Sequence, residues 1–222
     1  MRGMNRLAAV AGMALCVAAV APATASASQT IGQTGLDGGA CTNRVYVQHD
    51  LTSGPTYSPS SSGVITSWSA QANGATGQTL QLVVLSHSGS LQYTILRRDS
   101  VHTLANLNAL NTFTGLHLPI EAGQLIGVYD PPGSTADCEA DGISGDNVAF
   151  SQVGDPSDNV PTSYEGLDNM FRVNAQAVVE PVALGPTGQR AAALKKCKKR
   201  FHKNHIKKRF KKCKKKANLL PV

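Results

Sequence analysis

Residues 171–179 read Phe-Arg-Val-Asn-Ala-Gln-Ala-Val-Val, so that Phe171, Val173, Ala175, Ala177 and Val179 alternate with Arg172, Asn174 and Gln176. Successive side chains of an extended chain point to opposite faces, and a period of two over this length predicts a strand with one face in a core. The same alternation recurs elsewhere. Leu91, Tyr93 and Ile95 alternate with Gln92 and Thr94, and Leu116, Leu118 and Ile120 alternate with His117 and Pro119. Further strands are expected at 44–49, 64–72, 79–86, 124–130 and 147–153. Between them lie turn-forming stretches such as Pro59-Ser-Ser-Ser-Gly63, Glu121-Ala-Gly123 and Pro131-Pro-Gly133. Eight or nine short strands without a long helical pattern predict an all-β body, an antiparallel jelly-roll-like β-sandwich. Trp68 falls in phase with Val64, Thr66 and Ala70 and is expected in its core. Only 101–110 is ambiguous, because Leu104, Leu107 and Leu110 recur at threes; it is read as a loop with one helical turn.

Outside the body the chain changes character. Residues 1–27 begin with Arg2 and Arg6, pass through an apolar run over 7–21 and end in Ala23-Thr-Ala-Ser-Ala27, the layout of a cleaved secretory signal peptide. The apolar run is shorter than the roughly 20 residues that span a bilayer, and the mature chain is expected to be exported and without a transmembrane helix. Residues 28–180 form the sandwich, 181–193 a Pro/Gly linker and 194–222 a separate basic element. That element holds fourteen of the twenty-one Lys and Arg and no acid, and no lysine precedes Lys195. The body carries all fourteen Asp and Glu against Arg44, Arg97, Arg98 and Arg172. An acidic body is thus joined to a cationic end whose partners are polyanions.

Removing the signal removes Cys16 and leaves Cys41 and Cys138 in the body, Cys197 and Cys213 in the tail. An even number in an oxidising compartment points to disulfides, and position favours Cys41–Cys138 with Cys197–Cys213 over the two other pairings. In the tail, Leu194, Cys197, Phe201, Ile206, Phe210, Cys213, Ala217 and Leu220 form a helical stripe broken at Asn204-His205. One continuous helix would hold the tail cysteines about 24 Å apart, far beyond the reach of a disulfide. Folding back at His205 sets Cys197 opposite Cys213 and Phe201 opposite Phe210, so a small disulfide-closed helical hairpin is expected. The alternative is a basic tail without fixed structure, loosely closed by the same bond.

The stretches Gly63-Val-Ile-Thr-Ser-Trp-Ser-Ala-Gln-Ala72, Asn111-Thr-Phe113 and Leu118-Pro-Ile-Glu-Ala-Gly-Gln-Leu-Ile-Gly-Val-Tyr129 lie between a cysteine that precedes them and another that follows. Together they resemble a group of uncharacterised exported actinobacterial proteins. The Lys-rich segment with two cysteines, ending Ala217-Asn-Leu-Leu-Pro-Val222, is similar to one that recurs at the C-terminus of exported proteins of the same bacteria. The resemblance implies a β-sandwich with a portable basic appendage, and it lends no activity.

No catalytic residues are assigned. There is no Gly-x-Ser-x-Gly, and His49, His87, His102 and His117 fall in no nucleophile–base motif. Asp137-Cys-Glu139-Ala-Asp141-Gly142 places oxygen ligands at alternate positions before a glycine, as a calcium loop does. It has Glu at the third position, a cysteine at the second and Val148 at the twelfth. Asp137, Glu139 and Asp141 are carried as weak calcium candidates and no cofactor is assigned. Tyr57 and Tyr164, in Pro/Ser-rich stretches, are the aromatics best placed to meet a glycan.

Lys195, Lys196, Lys198, Lys199, Arg200, Lys203, Lys207, Lys208, Arg209, Lys211, Lys212, Lys214, Lys215 and Lys216 are the expected polyanion-binding set. Lysine is a hydrated point charge without a bidentate fork, which suits anionic cell-wall polymer or lipid headgroups better than specific nucleic acid. The leading expectation is a secreted, surface-associated, non-enzymatic protein retained through its tail. Two alternatives stand beside it: a carbohydrate-binding module with a glycan site on the sandwich loops, and a hydrolase using an unrecognised carboxylate pair.

Overall fold

The structure, a computed structural model, describes residues 27–35, 39–181, 193–198 and 207–217. The expected signal peptide apart from Ala27, nearly all of the linker, and the turn at His205 lie outside the described residues. The body is built of β1 (Gln29–Gln33), β2 (Val45–Asp50), β3 (Gly63–Gln71), β4 (Thr79–Gly89), β5 (Gln92–Thr103), β6 (Leu110–Ile120), β7 (Leu125–Tyr129), β8 (Glu139–Asp141), β9 (Asn147–Phe150), β10 (Thr162–Ser163), β11 (Glu165–Asn169), β12 (Phe171–Val173) and β13 (Ala175–Pro181).

One sheet runs β1-β13-β3-β6, and the other runs β10-β5-β4-β7-β2-β9-β11. Every strand pairing is antiparallel. Within the second sheet, β5-β4-β7-β2 matches the four strands of the first, and among these eight strands the chain changes sheet at every connection except β4 to β5. This is the wrapping of a jelly roll. The small pair β8-β12 and the strands β9 and β11 form an insertion between β7 and β13 that extends the sheet beyond β2.

The core lies between the sheets. Ile31, Ile65, Trp68, Ala175, Ala177 and Val179 from one face meet Tyr46, Leu80, Leu82, Val84, Ile126 and Val128 from the other. Trp68 is 1% exposed, and its indole N–H donates to Asp99 Oδ2 at 2.8 Å, so its polar atom is satisfied inside the sandwich. The larger sheet is buried on its outer face as well, where Val45, Val47, Val83, Leu85, Tyr93, Ile95 and Tyr164 form a second cluster. That double burial explains why β4 reads Leu80 to Leu85 as an almost unbroken apolar run.

Three local expectations are corrected. A register shift between Ile65 and Ser67 changes the phase of β3, so Gly63 and Ile65 face inward before the bulge and Trp68 and Ala70 after it. The alternation at 171–179 is not one strand: β12 pairs with β8, β13 pairs with β1 and β3, and Asn174 stands between them. The 101–110 stretch contains no helix; β5 continues to Thr103, a turn follows, and Leu104 alone of its leucines is buried.

Buried side-chain amides hold the junction at Asn174. Its oxygen accepts from the backbone N–H of Gln71 at 3.0 Å and Gly35 at 3.3 Å, and its amide donates to the carbonyls of Gln71 at 2.8 Å and Asp137 at 3.0 Å. Next to it, Val173 N–H donates to Gln48 Oε1 at 3.0 Å, and Tyr57 Oη donates to the Val173 carbonyl at 2.6 Å. Replacing Asn174 with Ala strands several buried backbone groups, each costing about 1–3 kcal/mol. Urea denaturation should therefore show Asn174→Ala destabilised by about 3 kcal/mol or more. Thr114→Ala, on the exposed face of β6, should stay within about 0.5 kcal/mol of wild type.

Candidate functional site

Two features carry chemistry that the fold does not consume: the basic element at the C-terminus and a cleft on the insertion side of the sandwich.

The basic element contains α1 (residues 193–198) and α2 (Lys207–Ala217), joined by Cys197–Cys213 with the two Cα atoms 5.9 Å apart. Sixteen residues of separation close only if the two helices lie side by side. Cys197 and Ala217 are buried, and Leu194, Phe210 and Cys213 are half-buried along the same seam. Lys195, Lys196, Lys198, Lys211, Lys212, Lys214, Lys215 and Lys216 are all exposed, and none forms an ion pair among the described residues. Lys207, Lys208 and Arg209 belong to α2, whereas Lys199, Arg200, Phe201 and Lys203 lie outside the described residues. Lys214, Lys215 and Lys216 fall in the last turn of α2, where the helix dipole favours cations. Like-charge repulsion along α2 works against it elsewhere, and the disulfide is what offsets it.

The cleft, about 380 Å³, is lined by Gly39, Ala40, Thr42, Arg44, Tyr46, Glu139, Phe150, Asp168 and Phe171. Register places these residues together: Tyr46 lies opposite Phe150 across β2 and β9, Val173 lies opposite Glu139, and Asp168 opposite Val148. Gly166 has φ +72° at the bulge in β11, and the Phe150 ring lies against its bare Cα, where any side chain would collide. Gly39 approaches Glu139 so closely that an added Cβ would sit 2.9 Å from Oε2. The guanidinium of Arg44 stands over the Phe150 ring, 4.9 Å from its centroid.

Glu139 is 3% exposed, and neither it nor Asp168 is ion-paired among the described residues. Burial, and after it the hydrogen-bonded Asp168 carboxyl, push Glu139 up to about 8 against the partial relief from the Gly39 N–H. Glu139 was legible only as a calcium-loop acid. Asp168, Arg44 and Phe150 carry no sequence signal, because their convergence depends on the fold.

The other expected residues are placed differently. Tyr57 and Tyr164 are buried, 2% and 3% exposed, and cannot stack on a glycan. Residues 137–141 run extended into β8, so Asp137, Glu139 and Asp141 do not wrap around a common point. Among the described residues, one group brings three potential ligand atoms within 4.8 Å, namely Cys41, Asp130 and Cys138, and both sulfurs there are spent in the Cys41–Cys138 disulfide. Asp146 is fully buried. Its burial alone would raise it, but the N–H groups of Thr52 and Ile143 and the Arg172 guanidinium hold it below the usual carboxylate value. This pair anchors the insertion. His102 Nε2 meets both Ser100 Oγ at 3.0 Å and Asp99 Oδ2 at 2.8 Å, whereas a triad needs serine and carboxylate on opposite ring nitrogens. His49 Nδ1 bonds Tyr93 Oη at 2.6 Å and His87 stacks on the same ring, an arrangement that braces the outer cluster. His117 is exposed on β6.

A carboxyl whose folded value lies above its unfolded one adds stability that is complete below about 4.5 and is lost as pH rises through about 8. Thermal scans between about pH 5 and 9 should therefore show the wild type losing melting temperature relative to Glu139→Gln as pH rises. Parallel curves for the two proteins would refute the buried acid. In the basic element, the chain-entropy contribution of a loop this size is about 3 kcal/mol. Reductant should accordingly abolish the helical circular dichroism of a synthetic 194–222 peptide.

No protein-family model matches the chain, and no curated protein or solved structure matches it.

Proposed function

We propose that the chain is an exported, non-enzymatic protein whose sandwich is retained on anionic envelope polymers by the C-terminal hairpin. The supporting observation is the closure of α1 on α2 by Cys197–Cys213, which concentrates eight exposed lysines on one short element while the half-buried apolar seam stays between the helices. The body cannot do this work, because its fourteen acids outnumber its four arginines by ten. Arg98 and Arg172 are moreover engaged with Asp155, Asp158 and Asp146. No helix among the described residues is long and apolar enough to cross a membrane. The signal-peptide layout of residues 1–27 and the two disulfides fit an oxidising destination. The resemblance to exported actinobacterial proteins agrees with export, and an exported cationic element meets anionic wall polymers and lipid headgroups before it meets nucleic acid.

Loose lysine contacts depend on the range of the electrostatic field, and the Debye length shrinks from about 10 Å at 0.1 M salt to about 3 Å at 1 M. The protein should sediment with anionic wall preparations or anionic vesicles at low salt and be released at high salt. A version ending at Gln189 should stay in solution under both conditions. Retention of that version, or resistance of the full chain to 1 M salt, would overturn electrostatic anchoring.

A further inference from the structure

The basic element carries an open groove of about 420 Å³, lined among the described residues by Leu194, Lys195 and Lys198 of α1 and by Phe210 and Lys214 of α2. Leu194 and Lys198 stand one helical turn apart, as do Phe210 and Lys214, so each apolar side chain has a cation beside it on the same helix face. Leu194 and Phe210 are only half-buried. The groove's surface is mostly carbon although three of its five residues are lysines, so the lysine stems supply apolar wall. Their residues are exposed, and none forms an ion pair among the described residues.

We propose that this groove takes an acyl chain of an anionic phospholipid, with the ammonium groups of Lys195, Lys198 and Lys214 around its phosphate. The proposal rests on the hairpin being the anchoring element, and it names a lipid, rather than a wall polymer, as what the anchor seats. Complementarity of charge and polarity selects the occupant. A wall polymer offers anions to the lysines, but its hydrated length gains nothing from an apolar groove, whereas a phospholipid joins an anion to a chain that leaves water. A neutral lipid fills the groove and leaves three cations unmatched. A second hairpin would set fourteen positive charges against fourteen. The volume lies within the roughly 300–1,000 Å³ usual for small-molecule sites, enough for part of one chain.

Nuclear magnetic resonance titration of the full mature chain at 0.1 M salt tests this with dihexanoyl phosphatidylglycerol, held below its micelle concentration. Glycerol 3-phosphate supplies the same anion without chains, and dihexanoyl phosphatidylcholine supplies the chains without net charge. Phosphatidylglycerol should shift Leu194 and Phe210 and bind with a dissociation constant of about 1 mM or tighter. Glycerol 3-phosphate should bind at least tenfold more weakly and phosphatidylcholine at least fivefold. Replacing Lys195, Lys198 and Lys214 together by Gln should weaken phosphatidylglycerol binding about tenfold or more. The same replacement at Lys196, Lys211 and Lys215 removes equal charge outside the groove and should cost less than about threefold. Phe210→Ala should lose the chain-dependent shifts, with circular dichroism showing whether its helices persist; the two lysine triples decide the matter if they do not. Equal binding of phosphatidylglycerol and glycerol 3-phosphate, equal losses in the two triples, or shifts that spare Leu194 and Phe210 would overturn the groove while leaving electrostatic anchoring in place. Lipid binding in the groove, combined with undiminished sedimentation of the version ending at Gln189, would instead support the groove and overturn the anchoring.

Discussion

The fold depends on how the chain leaves one sheet for the other at Val173 and Asn174, deep inside the body. A backbone that turns between sheets gives up its ladder partners, and where no water reaches, side chains must replace them. Gln48, Tyr57 and Asn174 do so, taking up the N–H and carbonyl of Val173 and the main chain of Gly35, Gln71 and Asp137. These three residues come from a strand, a loop and the junction itself, so the clip ties together segments more than a hundred residues apart in sequence. It also fixes β12 against β8, which sets Phe171 and Glu139 into the cleft, and it sits beside the Cys41–Cys138 bond that closes a 97-residue separation. A hydrophobic core alone would accept several registers here. Buried amides with both donors and acceptors filled accept few.

How much of this was legible in the sequence depends on the range over which each feature is determined. Strand alternation is local, and it placed the sandwich and the burial of Trp68 correctly. A bulge is a property of a pair of strands, so alternation through Val64, Thr66 and Trp68 missed the change of phase at Ile65–Ser67. Likewise Phe171 to Ala177 keeps its alternation although it serves two sheets, because Asn174 turns the chain without breaking the pattern of polar and apolar residues. Tyr57 and Tyr164 looked like contact residues because their neighbours are turn-formers. Loop composition says nothing about where an aromatic ring points, and both rings turn inward. The cleft was the least legible feature, since Glu139 and Asp168 meet only after β8 and β11 are placed.

The two halves of the protein obey different electrostatic rules. In the body the arginines are few and mostly engaged: Arg98 with Asp155 and Asp158, Arg172 with Asp146, Arg44 against Phe150. A planar guanidinium suits such fixed, partly buried contacts, and lysine, which is absent from the body, does not. In the hairpin the preference reverses, with twelve lysines to two arginines. Point charges on flexible stems can follow an irregular polymer without fixed geometry, at the cost of being easily screened.

That division also constrains how the hairpin can work. An acidic body tethered to a cationic element is itself a candidate partner, and a short linker holds such partners at an effective concentration in the millimolar range. An external polymer displaces the body only by offering denser charge, since each exposed carboxylate of a folded surface is worth little to a lysine. Wall polymers and anionic bilayers meet that condition, whereas soluble acidic proteins with charge spacing like that of the body do not. On the proposed function, the acidic sandwich would raise the threshold that a polyanion must pass before the hairpin engages it. Weak neighbours would then be filtered out by competition within the chain, without any recognition geometry in the lysines themselves.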